Sequence, residues 1–221
     1  MTKTQVRQRI IDTGIIPVVR ASSAELARAA ARAVAAGGIS AVEVTMTVPG
    51  AIDLIAQLSR AENGILIGAG TVLDAETAKR CLDAGAQFLV SPGFDAETVK
   101  LAAREDVVMM AGALTPTEVI DAWKAGVDFV KIFPCGNVGG PSYIKALKAA
   151  LPQIPMVPTG GVNLNTAAAF LEAGSSALGI GGELISPAAL KSGNFDAITA
   201  LARQYVAIVA HAREATSAGK G

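Results

Sequence analysis

Lys131 is the least expected charge in this sequence. It sits inside residues 129–134, FVKIFP, where the other five residues are apolar or proline. Stripping water from an ammonium ion is costly, so an amine in such a run tends toward its neutral form. A neutral amine is a nucleophile, and with a ketone it forms a Schiff base. The alternative is a strand-end lysine whose head group reaches back into solvent. Glu43, in residues 41–45 (AVEVT), is a second charge in an apolar setting. Period-2 alternation puts it on the face opposite Val42 and Val44. If helices cover the valine face, Glu43 points inward and needs a partner, for which Lys131 is the candidate. Such a pair can be purely structural. It can also do chemistry: the amine forms an imine with a 2-oxo acid, and the carboxylate moves protons at carbon, at the carbinolamine or through a water. The outcome is aldol cleavage or addition with no metal ion.

Other polar residues could complete such a site. Arg20 follows a short β-branched run, and its guanidinium can hold a carboxylate or phosphate in two hydrogen bonds; the alternative is a surface salt bridge. The stretch 158–163, PTGGVN, supplies Thr159, Gly160 and Gly161, and 179–183, GIGGE, supplies Gly181 and Gly182. Glycines let backbone N–H groups approach an anion closely, and a helix N-terminus adds a favourable dipole. Glycine also ends strands for steric reasons, so each pair has a structural reading too. Glu183 would repel a phosphate there unless its side chain turns away. Thr71, after the glycines at 68 and 70, and Pro92, after Ser91, offer a hydroxyl and tight turns that can hold a small carboxylate; both can equally be ordinary turn residues.

The elements that must position these residues alternate along the chain. Short apolar runs at 15–20, 41–45, 65–72, 88–92, 107–114, 129–134, 156–159 and 177–180 read as strands. Helices fall between them. Ser22 or Ser23, Asp74, Asp95, Thr115 with Glu118, and Asn163 or Asn165 are helix-start signals, as are Pro49 and Pro141. Gly37, the Asn63–Gly64 pair, Gly85, Gly126 and Gly174 are stops. A helix precedes the first strand within 1–14. A last helix runs from about 195 to 214, after a loop or short turn at 186–194, and 215–221 is expected to fray. Eight strand–helix units with continuously apolar strands predict a parallel sheet covered on all sides, closed as a (β/α)₈ TIM barrel in a single domain, 1–221. In that architecture chemistry sits at the C-terminal ends of strands. Arg20, Glu43, Thr71, Ser91, Thr115, Lys131, Thr159 and Glu183 each come at or near such an end and could converge on one mouth.

Composition fits and excludes. Of 221 residues, 51% are apolar and only 4% aromatic, which favours helices and buried strands over a β-sandwich. Lys+Arg and Asp+Glu number 19 each, so net charge gives no argument for nucleic acid or an anionic membrane. Two cysteines, Cys81 and Cys135, imply no disulfide framework. The start, MTKTQVRQRI, has no apolar signal core, and no apolar run approaches the ~18 residues that span a bilayer. A cytoplasmic enzyme without metal or cofactor is expected. The single histidine, His211, lies in the last helical pattern and suits a surface or helix-packing role rather than a triad or zinc site.

Taken together, GGISAVEVT, IGAGTVL, GAQFLVSPG, LTPTE, FVKIFP, VPTGGV and GIGG resemble, in order and spacing, the 2-keto-3-deoxy-6-phosphogluconate (KDPG) aldolase family, which includes 4-hydroxy-2-oxoglutarate aldolases. The resemblance runs from about residue 15 to 185. It implies Lys131 as Schiff-base lysine and Glu43 as general acid/base. It also implies Thr71 and Pro92 at the pyruvate pocket and Phe133 beside the lysine. Thr159, Gly160, Gly161, Gly181 and Gly182 would stand at the phosphate end. It further implies a homotrimeric (β/α)₈ barrel acting on small 2-oxo acids and aldehydes. The chain departs from some members at Thr47, where they carry arginine, and at Glu183, where they carry serine; Arg20 can supply the missing charge. Both departures bear on the phosphorylated end of the substrate. The rival readings are an aldolase for unphosphorylated 2-oxo acids, a phosphosugar isomerase or epimerase barrel, and a non-catalytic self-assembling scaffold.

Overall fold

The computed structural model describes residues 1–61 and 64–218. Asn63, expected to help end the second helix, and residues 219–221 of the expected frayed tail lie outside them. The elements are α1 (Lys3–Thr13), β1 (Ile15–Val19), α2 (Ala24–Ala36), β2 (Ala41–Thr45), α3 (Ala51–Ala61) and β3 (Leu66–Gly70). Then come α4 (Ala75–Asp83), β4 (Phe88–Val90), α5 (Ala96–Arg104), β5 (Val108–Ala113), α6 (Pro116–Lys124) and β6 (Phe129–Ile132). A 3-10 helix (Cys135–Val138) precedes α7 (Pro141–Ala150), β7 (Met156–Pro158), α8 (Ala167–Glu172), β8 (Leu178–Ile180), α9 (Pro187–Ser192) and α10 (Phe195–Ala218).

Local chemistry accounts for most helix starts. Ser23, Asp74 and Asp95 accept from the backbone N–H groups of Leu26, Thr77 and Thr98, satisfying donors that the first turn leaves unpaired. Thr115 and Glu118 form a capping box at α6. Two expected starts differ. Pro49 stands in the turn ahead of α3, because Gly50 intervenes with φ +69° and breaks the helical path. The Asn163 carboxamide oxygen accepts from the N–H groups of Asn165 and Thr166 in a turn, and α8 begins only at Ala167. α10 also runs four residues past the expected end at Glu214.

Among the described residues, eight strands form one sheet in the order β7-β6-β5-β4-β3-β2-β1-β8, and every pairing is parallel. A bridge between Thr159 and Gly179 joins the two ends and closes the barrel. Each strand is buried along its whole length, as expected of a sheet covered outside by helices and filled inside. Outward-facing Val42, Val44, Val130 and Ile132 pack in the large shell against the helices. The interior is a separate, smaller cluster of Ile16, Leu66, Phe88, Val108, Phe129 and others from the N-terminal halves of the strands. Val6 and Ile10 of α1 complete that cluster, so α1 plugs the N-terminal end. Lys3 pairs with Asp128 at 3.0 Å and helps hold the plug. The open end is therefore the C-terminal one, where this fold places its chemistry. Among the described residues no helix is long and apolar enough to cross a membrane.

Candidate active site

Lys131 and Glu43 lie on strands that are not neighbours in the sheet and meet across the barrel. Lys131 is in register with Gly112 on one side and Val157 on the other. Glu43 is in register with Val18 and Gly68. Their sequence neighbours face the outer shell, so period-2 geometry turns both charges inward. Nζ of Lys131 stands 3.8 Å from Oε1 of Glu43, with the two side chains 4% and 2% exposed. That separation is an ion-pair distance, longer than a good hydrogen bond. Oε1 has no hydrogen-bond partner among the described residues. A buried carboxylate oxygen with unmet capacity, facing an amine, is an unusual arrangement for a purely structural pair.

The space for this pair comes from missing side chains. Gly68, Gly70 and Gly112 occupy inward strand positions where larger residues would fill the barrel. A Cβ on Gly112 would lie 2.1 Å from the Pro92 carbonyl oxygen and 2.6 Å from Gly93 N. The bare backbone lets the end of β4 fold over β5 beside the lysine. Ser91 fastens that turn, its buried hydroxyl donating to Gly93 O at 2.6 Å. Thr71 stands at the corresponding end of β3 with φ +57°, a left-handed conformation that costs a β-branched residue about 1–3 kcal/mol. Its neighbours are pinned on both sides: Met46 N–H donates to Gly70 O and Val72 N–H to Val90 O. Strain held in this way is characteristic of ligand clamps.

On the opposite arc of the mouth, Arg20, Phe133, Thr159, Gly160, Gly161, Gly181, Gly182 and Glu183 all line one cavity of about 220 Å³. Thr71, Pro92, Lys131 and Glu43 are not in its wall. Val18, the register partner of Glu43, and Phe133, whose ring centroid lies 5.5 Å from Lys131 Nζ, connect it to the buried pair. Gly160 and Gly161 have φ of +87° and +76°, which only glycine adopts at little cost. Thr166 holds their loop, its hydroxyl donating to Gly161 O at 2.8 Å. The 3-10 helix clamps it from the side: Cys135 N–H donates to Thr159 O and Gly136 N–H to Gly160 O. Glu183 is exposed at the rim. Its charge is felt at Tyr205, whose buried hydroxyl is pushed up to about 12, mainly by burial and further by that carboxylate.

Every predicted site residue thus falls at the C-terminal mouth, in three adjoining groups. Thr115 is the exception among the strand-end polar residues, because its side chain is spent on capping α6. Sequence reasoning missed Gly112, Thr166 and the 3-10 clamp. An inward glycine in a strand is a legible signal of close backbone approach, whereas nothing in the CGNV stretch foretells a clamp. Among the described residues no group of three or more His, Cys, Asp or Glu is placed to hold a metal.

The family model for KDPG and KHG aldolase matches residues 6–201. The 2-dehydro-3-deoxy-phosphogluconate aldolase of Treponema pallidum is 38% identical, covering 88% of this chain and 93% of the relative. The KHG/KDPG aldolase of Escherichia coli K12 is 34% identical over 90% of this chain and 94% of the relative. The crystal structure of KDPG aldolase from Legionella pneumophila, with pyruvate captured at low pH as a covalent carbinolamine intermediate, superposes with a TM-score of 0.82. It is 30% identical, covering 91% of this chain and 98% of that one.

Proposed function

The chain belongs to the KDPG and KHG aldolase family, and from that premise we propose that it is a Schiff-base aldolase cleaving KDPG to pyruvate and glyceraldehyde 3-phosphate. The observation that carries this reading is the 3.8 Å approach of a buried amine to a buried, otherwise unpaired carboxylate oxygen at the open end of the barrel.

The Lys131 amine attacks the C2 ketone, and the carbinolamine loses water to give an iminium ion. Glu43 takes the proton from the C4 hydroxyl as the C3–C4 bond breaks. The bonding electrons move into the iminium, leaving an enamine and a free aldehyde. Glu43 then returns the proton to C3, and water releases pyruvate and regenerates the amine. No electron leaves or enters, so no redox cofactor is needed, and the iminium takes the place of a Lewis-acid metal. Thr71 and the Pro92 turn hold the pyruvyl carboxylate, and Phe133 flanks the imine. Thr159, Gly160, Gly161, Gly181 and Gly182 receive the aldehyde half beside Arg20 and Glu183.

The enzyme works as one barrel domain, 1–221, whose inner core is completed by α1. We read it as cytoplasmic, since both thiols are free and buried, and as a homotrimer. Leu73 and Phe94, on the loops after β3 and β4, and Val138, at the end of the 3-10 helix after β6, are 63%, 42% and 39% exposed and offer apolar surface for neighbouring copies. A mass measurement in solution at three chain masses supports the trimer, and a monomer contradicts it.

Pyruvate release from KDPG, followed in buffer containing a metal chelator, tests the activity. Turnover that survives the chelator supports the reading. Absence of pyruvate release, or its loss on chelation, overturns it. Glu183 favours a second reading, in which 4-hydroxy-2-oxoglutarate is the better substrate, because a carboxylate at the glycine cavity opposes a phosphate, with about −1.5 to −2 charges, more than a distal carboxylate with a single charge.

A further inference from the structure

The last step of the β1–β2 ladder is made by a side chain. The backbone register between these strands ends at Val19 with Val44, whereas β2 continues to Thr45, which pairs with Gly70 of β3 on its other side. Thr45 is fully buried, and its hydroxyl donates to Val19 O at 3.0 Å. It thereby fastens the residue that immediately precedes Arg20. A hydroxyl carries a single proton. Thr45 has spent its proton on the Val19 carbonyl, so in the 2.6 Å contact between the Thr45 and Thr47 hydroxyls the donor is Thr47. A turn keeps that contact in place, with Val48 N–H donating to Thr45 O at 3.0 Å. The result is a directed relay from Thr47 to Thr45 to Val19.

Arg20 has no such anchor of its own. It belongs to the wall of the glycine cavity, yet among the described residues no hydrogen bond or ion pair holds its side chain. The place and direction in which that side chain starts are therefore set by the backbone at the end of β1. Val19 is buried, and a buried carbonyl that loses its donor is costly enough to shift. Glu43 is held differently. It sits in the ladder itself, in register with Val18 and Gly68, so loosening the relay leaves its strand paired on both sides.

We propose that Thr45 is a positioning residue for Arg20, with Thr47 as its support: the relay fixes the end of β1 and so aims the arginine at the aldehyde half of the substrate. This rests on the aldolase reading. Thr45, being fully buried, acts through Arg20 and not on the substrate itself.

Thr45→Val keeps the shape of the side chain and removes the hydroxyl. KM for KDPG, or for 4-hydroxy-2-oxoglutarate where that is the faster substrate, is expected to rise about tenfold, the worth of one lost hydrogen bond. Meanwhile kcat stays within about twofold of the native value. Exchange of the pyruvate methyl protons, which uses Lys131 and Glu43 but no aldehyde half, stays at the native rate and shows that the variant is folded. Thr45→Ser restores KM. In an Arg20→Ala background the Thr45→Val increase disappears, because no guanidinium is left to misplace. Thr47→Val, at an exposed position, raises KM in the same direction by about threefold. An unchanged KM in Thr45→Val, a joint fall of kcat and exchange, or full additivity with Arg20→Ala overturns the inference; the same criteria apply to Thr47→Val should Thr45→Val not fold. Reductive trapping of pyruvate on the unsubstituted protein is run alongside. If trapping succeeds while KM ignores the relay, this inference alone falls; if trapping fails, the aldolase reading falls with it.

Discussion

The Glu43 carboxylate rests on the bare Cα of Gly70. A Cβ built on Gly70 would lie 1.9 Å from Oε1 and 2.4 Å from Cδ of Glu43, closer than any real contact permits. Gly70 is the last residue of β3, in register with Thr45 two residues beyond Glu43. The glycine thus sets how far the carboxylate lies from the Lys131 amine.

Gly70→Ala is therefore expected to displace the carboxylate while leaving the lysine in place. A misplacement on the order of 1 Å costs about 10²-fold in rate. Steady-state cleavage should show kcat reduced by about that factor, with pyruvate still trapped on the enzyme by borohydride. An unchanged kcat would mean that Glu43 is not held by this contact.

Glu43→Gln keeps shape and removes the ability to take a proton. The kcat for retro-aldol cleavage should fall by about 10²–10⁴-fold, the usual contribution of a positioned acid/base. Exchange of the pyruvate methyl protons with solvent, followed by NMR, should fall in parallel because the same carboxylate serves C3. Exchange at the unsubstituted rate would assign the proton transfer to another group.

Much of this site was legible before any coordinates. Lys131 and Glu43 were identifiable because a charge inside an apolar strand is costly unless it has a purpose. The alternation around Glu43 told which way it points. The eight-fold repetition of strand and helix gave the barrel, and the barrel gave the mouth. What stayed illegible depends on contacts between distant segments. The clamp of Cys135 and Gly136 on Thr159 and Gly160 consists of backbone hydrogen bonds that no side chain advertises. The strained φ of Thr71 is imposed by β2 and β4 on either side. At α9 the sequence predicts only a loop or short turn, because its six residues, PAALKS, are too few for periodicity to declare itself.

The two thiols give a pH-dependent prediction. Burial pushes both Cys81 and Cys135 up to about 11. At Cys81 the nearby Arg80 charge opposes that shift and Asp74 adds to it. An unfolded cysteine titrates near ~8.5. The folded chain therefore holds these protons more tightly than the unfolded chain, and this contribution to stability is fully present below about pH 8.5. It is lost progressively as pH rises toward about 11. Denaturant midpoints should fall over that window in the native sequence, and fall less in a Cys81→Ala, Cys135→Ala protein compared with its own value at pH 8. Alkylation by iodoacetamide at pH 8 should be slow when folded and fast in denaturant. Rapid labelling of the folded protein would contradict the burial of these groups.

The whole account depends on Lys131 forming the covalent bond. Incubation with pyruvate and borohydride, followed by peptide mass analysis, should place a reduced pyruvyl adduct on the peptide bearing Lys131 and nowhere else. The same treatment of Lys131→Ala should leave the protein unmodified. A native protein that gains no adduct, or an adduct that persists in Lys131→Ala, would contradict the account.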